Sequence, residues 1–467
     1  MSLLREFRFE CRGWYCATAA LAFVSFLAFA GCTAVTQEER EETARTLVDT
    51  LKDETEAYFR DNPGPLSLTN ALDLAVERTL KLTQRELESH LARVNRDVKF
   101  SAFLPNVELM YGRVLGSGVV DTPLFDVKSS GFSMQNMAML VTQPVFTPVA
   151  WIMFAESSYG VRISDLVRDR ARQLLVVQVA TCFYKAAVAE RTVKTYELQL
   201  ESGRELTNRV TRLVAEGYAL PGDRVRAEAR MAADELGLLQ ARNAWQKARG
   251  ELADVLKFWP LADFGVDGDS ILSLPRLEDK PVEEWVWEGL MNRKDLQAGD
   301  ETVALRKAQV IEALAGFLPN VVLGGGGANV TLEEISVRGW AGALTGVWSV
   351  FEGFRTVQQY RAARAKREAE FKLNEDRKMA VIVSVADCWR NWREAKERVA
   401  TTEKLREAAT LDHREAEKRY DDGQETLSKV LDKLTVRDEA EVKFANAAYA
   451  EALSALMLKL AVGGEIK

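Results

Sequence analysis

The sequence predicts a mainly helical fold with a smaller β portion, built as a tandem repeat of helix, β-hairpin, long helix and return helix. Three observations predict it. The 11 prolines of this 467-residue chain leave two stretches empty, residues 149–220 and everything after 319. Proline removes a backbone donor and breaks helix interiors, so each stretch has room for a very long helix. The chain also repeats itself. Ser101-Ala102-Phe103-Leu104-Pro105-Asn106-Val107 returns as Ala315-Gly316-Phe317-Leu318-Pro319-Asn320-Val321, and further on a constant offset aligns Cys182 with Cys388, Val193 with Val399, Gly217 with Gly423 and Leu252 with Leu458. Finally, two pairs of apolar segments, 107–120 with 134–145 and 321–332 with 336–350, follow the Phe-Leu-Pro-Asn sites. They read as hairpins.

The elements follow in order. Arg5, Arg8 and Arg12 precede residues 13–36, which carry no charged side chain. A positive region before an apolar one is the pattern of an export signal. It ends in Phe29-Ala30-Gly31-Cys32, which resembles a bacterial lipobox with Phe29 in the usual leucine place. Residues 1–31 are therefore expected to be a lipoprotein-type signal peptide, with Cys32 acylated. An uncleaved anchor is the competing reading, because the uncharged run is long enough to span a bilayer. Segment 32–66 is acidic, ends in prolines and glycine, and reads as a lipid-anchored tether.

The first repeat is expected over 67–258 and the second over 282–467, with the proline-rich 259–281 as linker. Each opens with one helix, 67–101 and 282–315, stopped by Phe-Leu-Pro-Asn. The long helices are expected over 149–216 and 353–421, each reaching on the order of 100 Å. Gly217 and Gly423 close them as turn residues. Pro221 suits the first turn of the return helix. There Val225, Ala229, Ala232, Leu236 and Leu239 keep the spacing of a coiled-coil seam.

The hairpins, 107–145 and 321–350, have the length of transmembrane strands. Trp340, Leu344 and Trp348 share one face at even spacing, while Gly339, Ala341, Ala343 and Thr345 take the other. Apolar outside and small inside is the pattern of a membrane barrel wall. Four strands cannot close such a barrel, and open edges in lipid cost several kcal/mol for each unpaired backbone group. The smallest membrane barrels have about eight strands, so a dimer with eight or a trimer with twelve satisfies the count.

Composition excludes several function classes. With 62 basic and 69 acidic side chains the net charge is −7, without the basic surplus of a nucleic-acid binder. Only two histidines exist, His90 and His413, both read as helix-surface residues. No nucleophile elbow, zinc spacing or calcium loop is present. Gly324–Gly327 lacks the Gly-Lys-Ser/Thr of a phosphate loop. No catalytic residue, metal site or cofactor is expected, and the chain is read as a non-enzyme.

Specific phrases then narrow the reading. Pro65-Leu66-Ser67-Leu68-Thr69-Asn70-Ala71-Leu72, Asn292-Arg293-Lys294-Asp295-Leu296, the paired Phe-Leu-Pro-Asn sites and Trp348-Ser349-Val350-Phe351-Glu352-Gly353 resemble the TolC-like outer-membrane efflux family over roughly residues 65–464. The resemblance implies a homotrimer: a 12-stranded β-barrel in the outer membrane, continued by a periplasmic α-helical barrel. It implies a passive exit duct for tripartite efflux or type I secretion, partnered by a periplasmic adaptor and an inner-membrane transporter. It also implies a periplasmic gate near the turns, at Asp223, Asp432 and Lys429. Lys429 stands where the family has an acid, and Glu425 where it has a base. The alternative to a gate role for Lys429 is a pair with Asp432 one turn away. Gly217, Tyr218, Gly423 and Gln424 match the tips that adaptors contact. In the implied ring, Cys182 and Cys388 are too far apart for a disulfide. The alternative from another class is a lipid-tethered periplasmic coiled-coil scaffold without a channel.

Overall fold

A computed structural model describes residues 36–122, 125–269, 277–332 and 335–464. The signal peptide and Cys32 lie outside these residues. Helix α1 covers Gln37–Asp61, and α2 (Leu68–Arg78) and α3 (Leu80–Phe100) lead to the first hairpin, β1 (Asn106–Thr122) and β2 (Phe125–Phe146). Helix α4 runs Pro148–Ala215 and α5 returns over Pro221–Leu256. The second repeat has the same order: α6 (Val282–Asn292), α7 (Lys294–Ala315), β3 (Asn320–Leu332), β4 (Ile335–Val347), α8 (Arg355–Asp421) and α9 (Leu427–Ala461). The paired long helices have 68 and 67 residues, so the duplication read from sequence holds at the level of whole elements.

The expected opening helices are each split in two. The breaks fall at Thr79 and Arg293, both with extended backbone. Arg293 shows the reason in the second repeat. Its guanidinium is nearly buried, donates to Asp295 at 3.0 and 2.6 Å, and reaches the Ala461 carbonyl at 3.4 Å. One extended residue turns that side chain inward and places Asp295 in the first turn of α7, where a carboxylate is favoured. The segment expected to be a tether is helical over most of its length. A capping box starts it, with Thr36 and Glu39 each accepting from the other's backbone N–H. The strands of the first hairpin also run longer than expected, because β2 begins at Phe125.

The helices lie side by side in the order α3, α4, α7, α8, with α5 along α4 and α9 along α8. The main core sits midway along the helices. It joins Val179, Phe183, Leu252, Leu256 and Phe258, closed from outside by Tyr58 and Phe59 of α1. A second core around Trp285, Val385 and Leu458 serves the other repeat. Cys182 borders the first core and Cys388 the second, and both are free thiols.

The seam Val225, Leu236 and Leu239 points away from the rest of this chain and is exposed. Ala227, Asp234, Leu238 and Ala241 make the contact with α4 instead. The sequence pattern marked the face of α5 that is turned away from α4. His413 also departs from expectation: it is 8% exposed, packed where the two helix pairs meet rather than on the surface. His90 is exposed as expected.

The Arg293 anchor sets the junction of α6, α7 and α9. Arg293→Ala is expected to destabilise the chain by about 2 kcal/mol, the value of a hydrogen bond to a charged partner. Thermal unfolding of the purified protein in detergent measures this.

Candidate functional site

The sheet decides the first part of the site. Its order is β1-β2-β3-β4, all antiparallel. Directly paired residues share a face, so register assigns each row. Leu109, Met139, Gly327 and Trp340 form one row, and Tyr111, Met137, Asn329 and Arg338 the next. Leu323 faces Leu344 below them. Trp340 is 90% exposed, and Leu109, Tyr111, Met137 and Leu344 are exposed with it. The other face carries Met110, Ala138, Ala328 and Gly339 in one row and Glu108, Leu140, Gly326 and Ala341 in the next. A methyl group on Gly326 would strike the Met139 carbonyl oxygen, so β2 and β3 approach too closely there for a side chain.

Both repeats tie the sheet to the helices with the same device. The Gln143 side-chain amide donates to the Phe103 carbonyl at 2.8 Å, and the Trp348 indole donates to the Phe317 carbonyl at 3.0 Å. Each donor lies at the foot of the second strand, and each acceptor is the phenylalanine of Phe-Leu-Pro-Asn. Trp348 thus sits just below β4, still exposed. Phe100, Phe103, Trp151 and Phe154 cluster at this same level. Of these four rings Trp151 is the amphipathic one, exposed beside Phe103.

The far ends of α4 and α8 hold the second part. Gly217 has φ +81° and Gly423 φ +72°, the left-handed region where glycine carries no side-chain penalty. The Tyr218 N–H reaches the Leu213 carbonyl at 2.8 Å, and the Gln424 N–H the Arg419 carbonyl at 2.8 Å. Both turns are Schellman closures. Tyr218 is 81% exposed. Asp223 accepts from the Leu220 N–H at 3.3 Å and from Arg226 at 3.2 Å, so it caps α5.

Lys429 does not pair with Asp432. Its ammonium lies 2.9 Å from Glu425, four residues earlier. A glutamate N-terminal to a lysine at this spacing is the favoured orientation, and it also meets the positive end of α9. The Lys429 hydrogen bond holds the Glu425 carboxyl below its ordinary value. Asp432 is left exposed, with no ion-pair partner among the described residues. The two tips pack together through Val210, Ala227 and Leu427 with Tyr420 beside them, and burial, with Asp223 nearby, pushes the Tyr420 phenol up.

Sequence reading missed a buried charge network above the tips. Arg230 of α5 meets Asp234 at 3.1 Å and Asp438 of α9 at 3.3 Å, and it donates to Thr435. Arg437 adds a second cation on Asp438 at 2.7 Å. Burial and Arg437 push the neighbouring His413 down. No motif announces such a network. The only signal is charge at inward-facing helix positions.

Three comparisons bear on this geometry. The family model for outer membrane efflux proteins matches residues 71–256 and 285–464. The chain belongs to the outer membrane efflux protein family. Protein CyaE of Bordetella pertussis is 25% identical over 360 residues, covering 72% of this chain and 71% of that protein. The outer-membrane channel OprN superposes with a TM-score of 0.71 at 19% identity, covering 85% of this chain and 90% of that one. The CmeC outer membrane channel of Campylobacter jejuni gives 0.72 at 16% identity, covering 85% of each. This efflux protein is therefore an outer-membrane channel component with a periplasmic helical portion, from a family of transport channels rather than enzymes. Of the expected residues, Trp340 and Leu344 share the sheet's apolar face. Gly217, Tyr218, Asp223, Gly423, Gln424, Lys429 and Asp432 gather at the opposite end.

Below the sheet, Glu156 of α4 faces Glu312 of α7. Burial and the Glu312 charge push Glu156 up to about 7. A raised carboxyl stabilises the fold fully below its ordinary value of 4.5 and loses that contribution as pH rises through about 7. Glu156→Gln is expected to flatten this loss, measured as melting temperature against pH between those limits.

Proposed function

We propose that three copies of this chain close one 12-stranded barrel, which serves as the passive exit duct of a tripartite efflux or type I secretion system. The observation that supports the reading most is the sheet itself, which among the described residues has four strands, an apolar face and two unpaired edges. Three copies join β4 of one to β1 of the next and leave no edge in lipid. The exposed seam of α5 supports the same assembly, since a second flank needs a second neighbour. Transport energy then comes from an inner-membrane pump, and a periplasmic adaptor seats on the tips at Gly217, Tyr218, Gly423 and Gln424. Cys32 is the acylation site that adds a lipid anchor. In this reading residues 67–258 and 282–467 act as the two repeats, joined by 259–281. The protein needs no cofactor and no catalytic group.

Extraction tests the duct against a soluble scaffold. The protein is expected to stay with outer membranes in high salt, to leave only with detergent, and then to run as a trimer that conducts in planar bilayers. Release by salt alone favours the scaffold.

The gate is proposed at Asp432 and Asp223, with Lys429 beside them. A threefold ring of Asp432 would favour cations at close quarters. The Glu425–Lys429 pair would dilute that preference, because it sets a cation one turn from the acid. Asp432→Ala is expected to lower cation selectivity in single-channel recordings of a well-folded trimer. Unchanged selectivity removes Asp432 from the role.

A further inference from the structure

Among the described side chains of the sheet, the only bases are Arg113 of β1 and Arg338 of β4. Register puts both on the Trp340 face. Arg338 opposes Asn329 in the row beyond Trp340, and Arg113 shares the row after that with Gln135, Thr331 and Ser336. From Trp340 down to Leu323 and Leu344, the residues on this face carry no charge.

The height of Arg338 matters in lipid. Ten residues separate it from Trp348, about 34 Å along a strand. With the tilt of roughly 40° usual in a membrane barrel, that length rises about 26 Å, and the apolar band of such barrels is about 25 Å tall. The helices leave the sheet at the Trp348 end, so Trp348 stands at the periplasmic boundary and Arg338 at the outer one.

The polar neighbours of Arg338 are already occupied with one another. Ser336 donates to Asn329 at 2.8 Å, and Thr331 donates to Ser336 at 3.4 Å. Arg338 itself is exposed and has no hydrogen-bond or ion-pair partner among the described residues. Its guanidinium offers five N–H donors in a planar fork, a shape that matches phosphate oxygens two at a time. The two arginines also lie on the two edge strands of the sheet. Joining β4 of one copy to β1 of the next brings Arg338 of the first and Arg113 of the second to one seam.

We propose that each seam between copies binds a phosphate-bearing lipid of the outer leaflet, with Arg338 as the principal contact and Arg113 of the adjoining copy on the neighbouring strand. The inference rests on the reading of the sheet as one third of a trimeric barrel. Charge complementarity selects the headgroup, and the uncharged face below Arg338, beginning at Trp340, takes the acyl chains. A lipid seated there spans the joint between two copies.

Native mass spectrometry of the detergent-purified trimer tests the site, with a diphosphorylated glycolipid as probe and the same lipid stripped of phosphate beside it. The wild type is expected to retain the phosphorylated lipid and to hold several-fold less of the stripped form. Arg338→Gln is expected to lower the phosphorylated lipid several-fold, and Arg113→Gln by less. Arg338→Lys keeps the charge without the fork, so its binding should fall between wild type and Arg338→Gln; it also serves if the glutamine variant does not assemble. Arg398→Gln, at an exposed position of α8 paired only with Glu394, should bind as the wild type does. Equal binding by wild type and Arg338→Gln overturns the proposal, as does an equal loss in Arg398→Gln or binding that ignores the phosphates. Displacement by inorganic phosphate at the lipid's own concentration also overturns it, because the site would then take a free anion. A wild-type protein that leaves the membrane as a monomer removes the barrel reading and the seam with it, whereas a trimer without bound lipid removes the lipid site alone.

Discussion

Unpaired backbone at a strand edge in lipid is the constraint on which the rest of this structure depends. Water satisfies such an edge in a soluble sheet, but hydrocarbon does not. The described residues form four strands in one sheet, with β1 and β4 at its borders, and such a sheet cannot close on itself in lipid. The duplication supplies two hairpins, and the sheet joins them through β2 and β3. In the proposed barrel the remaining pairing comes from other copies of the chain. In that assembly the helices below the sheet form a closed ring as well, since they continue a closed wall.

The repeat explains how one sequence solves the junction twice. Gln143 and Trp348 differ in chemistry, yet both bring an N–H to the carbonyl of a Phe-Leu-Pro-Asn phenylalanine. The sequence positions tolerate an amide or an indole because the bond needs only a donor on a side chain of sufficient reach. The tips follow the same logic. Both glycines turn the chain through left-handed backbone, and what differs between the repeats is charge: Asp223 caps its helix, whereas Lys429 pairs back to Glu425.

Much of the fold was legible because its signals are local. Proline gaps marked the long helices, glycines the tips, and alternation the apolar sheet face, and each rests on the conformational limits of single residues. What escaped depends on neighbours. The break at Arg293 is set by a side chain drawn toward the end of α9, far away in sequence. The seam read at Val225, Leu236 and Leu239 is exposed in this chain, and the spacing alone does not say which face of α5 meets α4. His413 and the Arg230 network are polar residues at inward positions, and sequence periodicity reads polarity as exposure. The helical character of α1 was hidden for a related reason: only its last turns bring apolar residues, Tyr58 and Phe59, to the core, so most of it lacks the apolar stripe that announces a helix.

The unequal hairpins change the outline of the channel's outer mouth. Leu332, at the top of β3, pairs with Met134, which pairs with Val114, so β1 continues beyond the second hairpin as far as Thr122. That overhang is about 27 Å along the strand. In the closed barrel proposed above, three tall two-stranded towers would alternate with three low turns around the rim. Such a crown has threefold rather than sixfold symmetry. Anything approaching from outside the cell would meet the first repeat before it met the second, although the two are near copies everywhere else.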